Sequence, residues 1–438
     1  MPWIFEHLEF HIQFGSKSNQ VSYQDHRHEA FCRRLLNENA LTAVLAGYTQ
    51  SCCLSTPFYQ LDSLDLSRPY LSLSSRAIGH MRNLLQLSLR KINIDKEIIL
   101  AMVRLPLLQA LTIENCYVSS EQLHDGLLRE LASLKLIYLS CHSLMGNMAE
   151  KFPRPFDIST LLTLRTDRKV LFRKLAQARG DIPLEALDSC DFRDNLTLSS
   201  VLENTPGLQS FRSGLNWKGD GPFHLSPQAL PRLSSAEATL DMLCILVPGR
   251  PIKSIKMRWP STLSLADILL LKDSTCNVTH LDVPDIIFNR GFPFWSHFSV
   301  QTLKMRCTGA FNSYRNPVEL DGLMINAVRT ICVGPKQTSL QSLCLDFTVS
   351  RRRPADLPYW LNLSLQYKLL TDFISPQFPA LLECQFDEFV STKWYRTNPH
   401  SKWKPSLLAE HVAMLATDGK VDFSDHEFYI SRLLKEIK

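Results

Sequence analysis

Apolar residues recur along this chain at two spacings, and the alternation between them organises it. From Leu84 to Ile113 the sequence reads LLQLSLRKINIDKEIILAMVRLPLLQALTI. Leu84, Leu87 and Leu89 are spaced LxxLxL, and Leu108, Leu111 and Ile113 repeat that spacing 24 residues later. Inside each phrase apolar positions lie two apart, the period of a strand with one buried face. Between the phrases Ile98, Met102 and Leu105 return at helical spacing and stop at Pro106. The pattern predicts a strand, a helix, and then a parallel strand.

Further copies stand at Leu61-Leu64-Leu66, Leu134-Ile137-Leu139, Leu161-Leu164, Leu184-Leu187, Leu208-Phe211 and Leu233-Ala236-Ala238. Others are Ile252-Ile255-Met257, Val278-Leu281-Val283, Val300-Leu303-Met305, Leu340-Leu343-Leu345 and Leu381-Cys384-Phe386. Most gaps run 19 to 27 residues, and the two gaps flanking Leu340 are near 40. Those longer gaps are expected to hold loop insertions, one of them around Arg351 to Pro358. Such recurrence marks a leucine-rich-repeat solenoid. The expected fold class is therefore α/β, a curved parallel sheet with helices on its convex side and helical N- and C-terminal caps. Fourth and sixth positions of each phrase point into the core, where a buried Leu contributes on the order of 1.5–3 kcal/mol. Third, fifth and seventh positions point out of the concave face.

The repeat also sets the expected boundaries. Residues 1–58 lack the phrase, but Phe31, Leu35, Leu41, Val44 and Leu45 recur at helical spacing before Gly47, as a helical N-terminal cap would. Residues 59–392 form the repeat array. Over 393–438, Leu407, Leu408, Val412 and Leu415 suit a helix ending near Gly419. Ser424 and Glu427 then make a capping box before Ile430, Leu433, Leu434 and Ile437, completing a helical C-terminal cap.

Composition narrows the function classes. With 45% hydrophobic and 21% charged residues, the 438-residue chain has the composition of a soluble globular protein. A net charge of +5 from 48 basic and 43 acidic residues is too balanced to call for nucleic acid. Arg351-Arg352-Arg353 is read as a solvated loop before a phosphate-binding or import patch. The 12 Cys show no regular metal spacing, and several stand where the repeat buries a small apolar residue, which suits a reducing compartment. Glu6 and Glu9 interrupt the apolar residues of Met1 to Phe10, and no run of 18 apolar residues occurs, so neither a secretion signal nor a membrane span is expected. The expected location is cytoplasmic or nuclear, and the sequons at Asn195, Asn277 and Asn362 are read as chance.

Candidate chemistry is sparse. GxSxG, HExxH and GxxxxGK[ST] motifs are absent. His26, His28 and Cys32 are the one close set of metal-ligand types, with no evident fourth member, and His26 falls off the helix face shared by the other two. They read as a polar helix face, so no metal, cofactor or catalytic residue is expected. The concave face is the remaining candidate. Its fifth positions run Asp65, Ser88, Thr112, Tyr138, Asp188, Arg212, Glu237, Lys256, Asp282, Lys304, Cys344 and Gln385, and seventh positions add Arg90, Glu114, Arg258, Arg306, Asp346 and Asp387. Lys256, Arg258, Lys304 and Arg306 should cluster, because strands lie about 4.8 Å apart, with Asp282 between them as partial neutralisation. Two readings stand: a solvated, internally paired face, or a docking surface for an acidic segment of a partner. Tyr138 and Trp259 are candidate aromatic anchors, and Arg212 belongs to the same face.

The copy ending Ile113-Glu114-Asn115-Cys116, with Leu139-Ser140-Cys141 and Met305-Arg306-Cys307, places Cys after the strand. This resembles the irregular, cysteine-containing repeats of intracellular proteins, and the loose spacing is similar to fungal F-box leucine-rich-repeat proteins. In that family a three-helix F-box docks on the adaptor subunit of a cullin-based ubiquitin ligase, and the repeats hold the protein to be ubiquitinated. Ile4-Phe5-Glu6-His7-Leu8 resembles the middle of an F-box. The LPxEIL-like segment and Pro-Glu pair of the family have no counterpart after Met1. The resemblance implies a protein-recognition module acting as a ligase substrate receptor. The rival expectation is a scaffold or regulatory binding protein with no ligase link.

Overall fold

A computed structural model describes residues 7–11, 23–37, 40–56, 64–118, 125–146, 148–178, 182–190, 192–214, 223–258, 265–284, 298–307, 317–347, 363–387 and 391–407. The chain divides into two compact units, Met1–Leu233 and Ser234–Lys438, each mixed α/β with a mostly parallel sheet.

In the first unit the sheet strands are β1 (His7–His11), β2 (Ser51–Ser55), β3 (Gln86–Arg90), β5 (Ala110–Glu114), β7 (Tyr138–His142), β8 (Thr163–Thr166), β9 (Ala186–Asp188) and β10 (Ser210–Arg212). Each pairs in parallel with the next. The register puts one repeat position in one row. Cys52, Leu87, Leu111, Leu139, Leu164, Leu187 and Phe211 stack at the fourth position, and Leu54, Leu89, Ile113, Cys141 and Thr166 at the sixth; all are buried. The strands enter by a shared device in which one carbonyl accepts two successive N–H groups. Gln50 accepts from Leu85 and Gln86, Leu85 from Gln109 and Ala110, and Gln109 from Ile137 and Tyr138, at 2.8–3.1 Å. They end on a left-handed residue: Lys91 (φ 56), Asn115 (φ 56) and Ser143 (φ 54) follow β3, β5 and β7.

Past that turn, β4 (Asn93–Ile94) and β6 (Tyr117–Val118) form a second small parallel ladder. Met145 continues it by bridging to Tyr117, and Gly146 follows at φ +93, where a Cβ would stand 2.3 Å from the Val118 carbonyl oxygen, so only glycine fits. Helices return the chain: α1 (Tyr23–Leu36), α2 (Ala40–Gly47), α3 (Leu64–Ile78), α4 (Lys96–Val103), α5 (Asp125–Glu130), α6 (Lys169–Gln177) and α7 (Asn195–Glu203). Asp95 caps α4, its carboxylate accepting from the Ile98 N–H at 3.0 Å, and Ile98, Ile99, Ala101 and Met102 face the core. The helix expected around Ile98, Met102 and Leu105 is thus present. Asn195, the first sequon, is buried in the first turn of α7.

Four expectations for this unit are corrected. The stretch 1–58 is not helical alone, since β1 and β2 carry the sheet into it. The β2 phrase is Thr49-Cys52-Leu54, whose small inward residues hid it. Leu61-Leu64-Leu66 is not a strand, because Leu64 and Leu66 belong to α3; downstream Leu71, Ser74, Ser75 and Ile78 are buried at helical spacing, so Asp65 lies on a helix. Strand β7 stands two residues later than read: Leu139 fills the fourth position and Cys141 the sixth, inside the strand rather than after it. Leu41 and Val44 of α2, expected as cap core, are 69% and 55% exposed, since α2 buries Thr42 and Ala46 instead.

The second unit holds β11 (Ser235–Ala238), β12 (Ser254–Met257), β13 (His280–Pro284), β14 (Thr302–Arg306), β15 (Ser342–Asp346) and β16 (Glu383–Asp387), all parallel. Its helices include α8 (Leu240–Leu246), α9 (Leu265–Leu270), α10 (Pro317–Ile331) and α11 (Leu363–Leu369). The shared carbonyl recurs here, Lys253 accepting from Thr279 and His280, and Gln301 from Gln341 and Ser342. The first long gap holds the 15-residue helix α10 rather than a bare loop. In the second, α11 runs on through a π turn at Leu370–Ile374; Arg351 to Pro358 lies outside the described residues.

The expected C-terminal helix is corrected over its described part. Residues 391–407 instead form β17 (Ser391–Tyr395) and β18 (Lys404–Leu407), antiparallel additions to β16. Thr392 and Trp394 alternate inward at period two, and Trp394 is fully buried with its indole N–H donating to Gln366 Oε1 at 2.7 Å. Arg396 stacks over Trp403 at 4.6 Å and donates to the carbonyls of Leu381, Pro379 and Pro399. The Ser424–Glu427 capping box lies outside the described residues. Among the described residues no helix is long and apolar enough to cross a membrane.

Candidate binding face

Odd positions of every phrase share the opposite side of each sheet, and this polar face carries the candidate chemistry. In the second unit the fifth-position row reads Glu237, Lys256, Asp282, Lys304, Cys344 and Gln385 in register. The seventh-position row reads Pro284, Arg306, Asp346 and Asp387, with Arg258 following β12. Lys256, Arg258, Lys304 and Arg306 therefore gather as the spacing implies, and each is met by acid. Glu237 Oε1 accepts from Arg258 at 2.7 Å and lies 3.2 Å from the Lys256 ammonium. Asp282 accepts from Arg306 Nε at 2.7 Å and stands 4.0 Å from Lys256; Arg306 also donates to the Met257 carbonyl. Lys304 Nζ is 2.7 Å from Asp346 and 3.9 Å from Asp387. Burial opposes the Lys304 ammonium, but those two carboxylates outweigh it and raise its pKa. Asp387 accepts from Gln385, Ser391 and the Cys344 thiol as well.

Of the two readings of this cluster, the geometry matches the internally paired face. Four bases meet four acids, Glu237, Asp282, Asp346 and Asp387. Trp259, an expected anchor, lies outside the described residues.

The first unit presents a different face. Its fifth-position row is Cys53, Ser88, Thr112, Ser140, Arg165, Asp188 and Arg212. Beside it run Ser55, Arg90, Glu114 and His142 at the seventh position. Tyr138, assigned to the fifth row by sequence, sits at the third, half-buried between Ala110 and Thr163. Ion pairs here are longer: Arg90 Nε is 3.5 Å from Glu114, Arg165 Nε 3.3 Å and Arg212 Nη1 3.6 Å from Asp188, and His142 Nε2 4.0 Å from Glu114. The three arginine side chains remain 54%, 38% and 45% exposed. Ser88 Oγ, Ser140 Oγ, His142 Nε2 and Arg165 Nε are enclosed without a hydrogen-bond partner. Burial, and then Arg165, lowers the His142 pKa.

Ser140, His142 and Arg165 were not singled out by sequence. Reading β7 two residues early gave its fifth slot to Tyr138 and left Ser140 and His142 beyond the strand. Arg165 follows Leu164 in a phrase lacking an apolar sixth residue, since Thr166 fills that slot with its hydroxyl donating to the Cys141 carbonyl at 2.8 Å. Admitting Cys and Thr at inward positions would have found all three.

The other candidates resolve into core. Cys32 is buried on α1 and burial pushes its thiol up to about 11; the side chains of His26 and His28 are outside the described set. Cys52 is inward on β2, and Cys116 is buried with its thiol donating to the Leu89 carbonyl at 3.3 Å. Among the described residues no three His, Cys, Asp or Glu side chains are grouped to hold a metal ion. No protein-family model matches the chain, and no curated protein matches it.

Proposed function

We propose that this chain is a non-catalytic protein-recognition module of the leucine-rich-repeat type, and that the polar sheet face of its first unit receives the partner. One observation carries the reading: on that face half-exposed arginines surround buried groups with unmet hydrogen-bonding capacity, whereas the same face of the second unit is paired throughout its charged core. Unmet buried polar groups are rare in folded proteins, and a cluster of them calls for a functional explanation.

The ligase-receptor form of the reading rests on family resemblance alone. His7 and Leu8, part of its F-box-like stretch, lie in strand β1 rather than in a helix. A scaffold or regulatory binding role is therefore favoured. The deciding experiment is affinity capture of the intact chain from its own cells beside a Thr112→Arg variant, which sets a long cation in the middle of the face. A partner recovered with the native chain and lost with the variant supports recognition there; a partner retained by the variant overturns that placement. Recovery of the cullin adaptor would restore the ligase form.

A further inference from the structure

The rim where strands enter the first sheet is apolar, and the matching rim of the second unit is polar. Each strand brings two residues to it: the one whose carbonyl accepts two N–H groups, and the one two places earlier. From β2 to β8 every strand has an apolar, unburied side chain at one of these places, in order Tyr48, Leu85, Leu107, Ile137 and Leu162. Tyr48, Leu107 and Ile137 are 50%, 47% and 39% exposed. Leu85 donates to the Gln50 carbonyl, Gln109 to Leu85, Ile137 to Gln109 and Leu162 to Ile137, so the five form one stripe across the strand ends. Over β11 to β15 the shared-carbonyl residues are instead Ser234, Lys253, Thr279, Gln301 and Gln341. The repeat does not require an apolar rim, and an exposed apolar stripe is the kind of surface that docks a partner.

Spacing and backbone chemistry select the occupant. Neighbouring strands lie about 4.8 Å apart, close to the rise of about 5.4 Å in one helical turn. A helix laid across the strand ends therefore brings about one apolar side chain to each strand. The shared carbonyls already hold two N–H groups each, so the rim has no acceptor left for an added strand, whereas a helix satisfies its own backbone. Charge orients the helix. From β2 to β9 the charged residues at these places are Lys135, held by Asp157 at 2.9 Å, and Glu185, exposed beside Leu162 in the row.

We propose that Tyr48, Leu85, Leu107, Ile137 and Leu162 dock an amphipathic helix of the protein partner, with a Lys or Arg at its β9 end facing Glu185. This rests on the recognition reading above and names the segment that the first unit takes. Tyr138, next to Ile137 on β7, joins the stripe to the polar face.

The test titrates the full chain with two capped 18-residue peptides of identical composition, each with five Leu and one terminal Lys among Ala and Gln. One spaces its Leu at the helical period and the other at period two. Fluorescence anisotropy at constant ionic strength should show saturable binding of the first and at least tenfold weaker binding of the second. Leu107→Asp and Ile137→Asp should each weaken the helical peptide at least tenfold and Gln301→Asp should not, with an unchanged urea midpoint as evidence of an intact fold. Glu185→Lys should weaken it, and exchanging the terminal Lys of the peptide for Glu should restore binding. Photo-reactive residues at positions 48 and 137, three strands apart, should cross-link peptide residues about 10 apart, where an extended segment gives about 4. Equal binding of both peptides, the shorter cross-link spacing, tighter uptake on phosphatidylcholine vesicles, or a dimer of the chain alone that Ile137→Asp dissociates would overturn the proposal. If the peptide fails while partner capture remains sensitive to Thr112→Arg, only the helix site falls. If the peptide binds while capture is insensitive to both Thr112→Arg and Ile137→Asp, the recognition reading falls and the stripe stands as a helix-binding surface alone.

Discussion

The two units raise polar faces on the same kind of backbone ladder and fill them differently. In the second, Glu237, Lys256, Asp282 and Lys304 alternate in sign on successive strands. A strand spacing of about 4.8 Å sets each long side chain beside its opposite, so the wall neutralises itself. In the first, Cys53, Ser88, Thr112 and Ser140 fill the row before Arg165, Asp188 and Arg212 alternate in sign in their turn. The serine hydroxyls do not span that gap, and those of Ser88 and Ser140 stay unmet. The backbone register creates the rows; side-chain length decides whether a row closes on itself or stays available to a guest.

The comparison breaks most visibly if the paired wall is cut. Asp282→Ala removes the carboxylate partner of Arg306, while Lys256 keeps Glu237, and with Arg306 and Asp282 only 18% and 17% exposed the loss should be about 2–3 kcal/mol, below the range for a fully buried pair. Urea unfolding of the full chain reads it as a lower midpoint; an unchanged midpoint would mean that the network carries little stability. A smaller effect of opposite sign is expected in the first unit. Ser140→Ala removes an unmet hydroxyl and should leave stability unchanged or raise it by up to about 1 kcal/mol. A marked loss of stability would show that Ser140 has a structural role.

The smallest expected effect is a pH dependence. Burial lowers the His142 pKa from its ordinary 6.5, so the folded chain prefers the neutral ring. Its contribution is fully present above pH 6.5 and is lost as pH falls through the depressed folded value, because the unfolded chain takes the proton first. His142→Gln should flatten the stability slope below pH 6.5. A slope identical to that of the native chain would mean that the ring is not held neutral.

The ladder was legible in the sequence because Leu, Ile and Val at inward positions announce their period. Register on β3, β5 and β11 to β16 follows the phrases residue for residue. What stayed hidden was carried by ambiguous residues. Leu134 and Leu136 both precede β7, and Ile137 looks inward by type but is 39% exposed, so hydrophobicity alone misplaced the strand by two. Thr49 and Cys52 concealed β2 for a related reason: Thr and Cys fill core positions without raising the apolar signal. The basic cluster was legible as a cluster, whereas its neutralisation required the paths of Arg258 and Lys304 to Glu237 and Asp346. The unmet donors were invisible to pattern, since a missing hydrogen bond has no sequence signature.

The most direct test places a photo-reactive aromatic residue at Tyr138, half-buried on the first unit's polar face, and at Gln385 on the corresponding face of the second. Irradiation of each full chain with its captured partner should cross-link the partner from position 138 and not from position 385. Cross-linking from position 385 alone would contradict the account, because the self-paired wall would then be the binding surface.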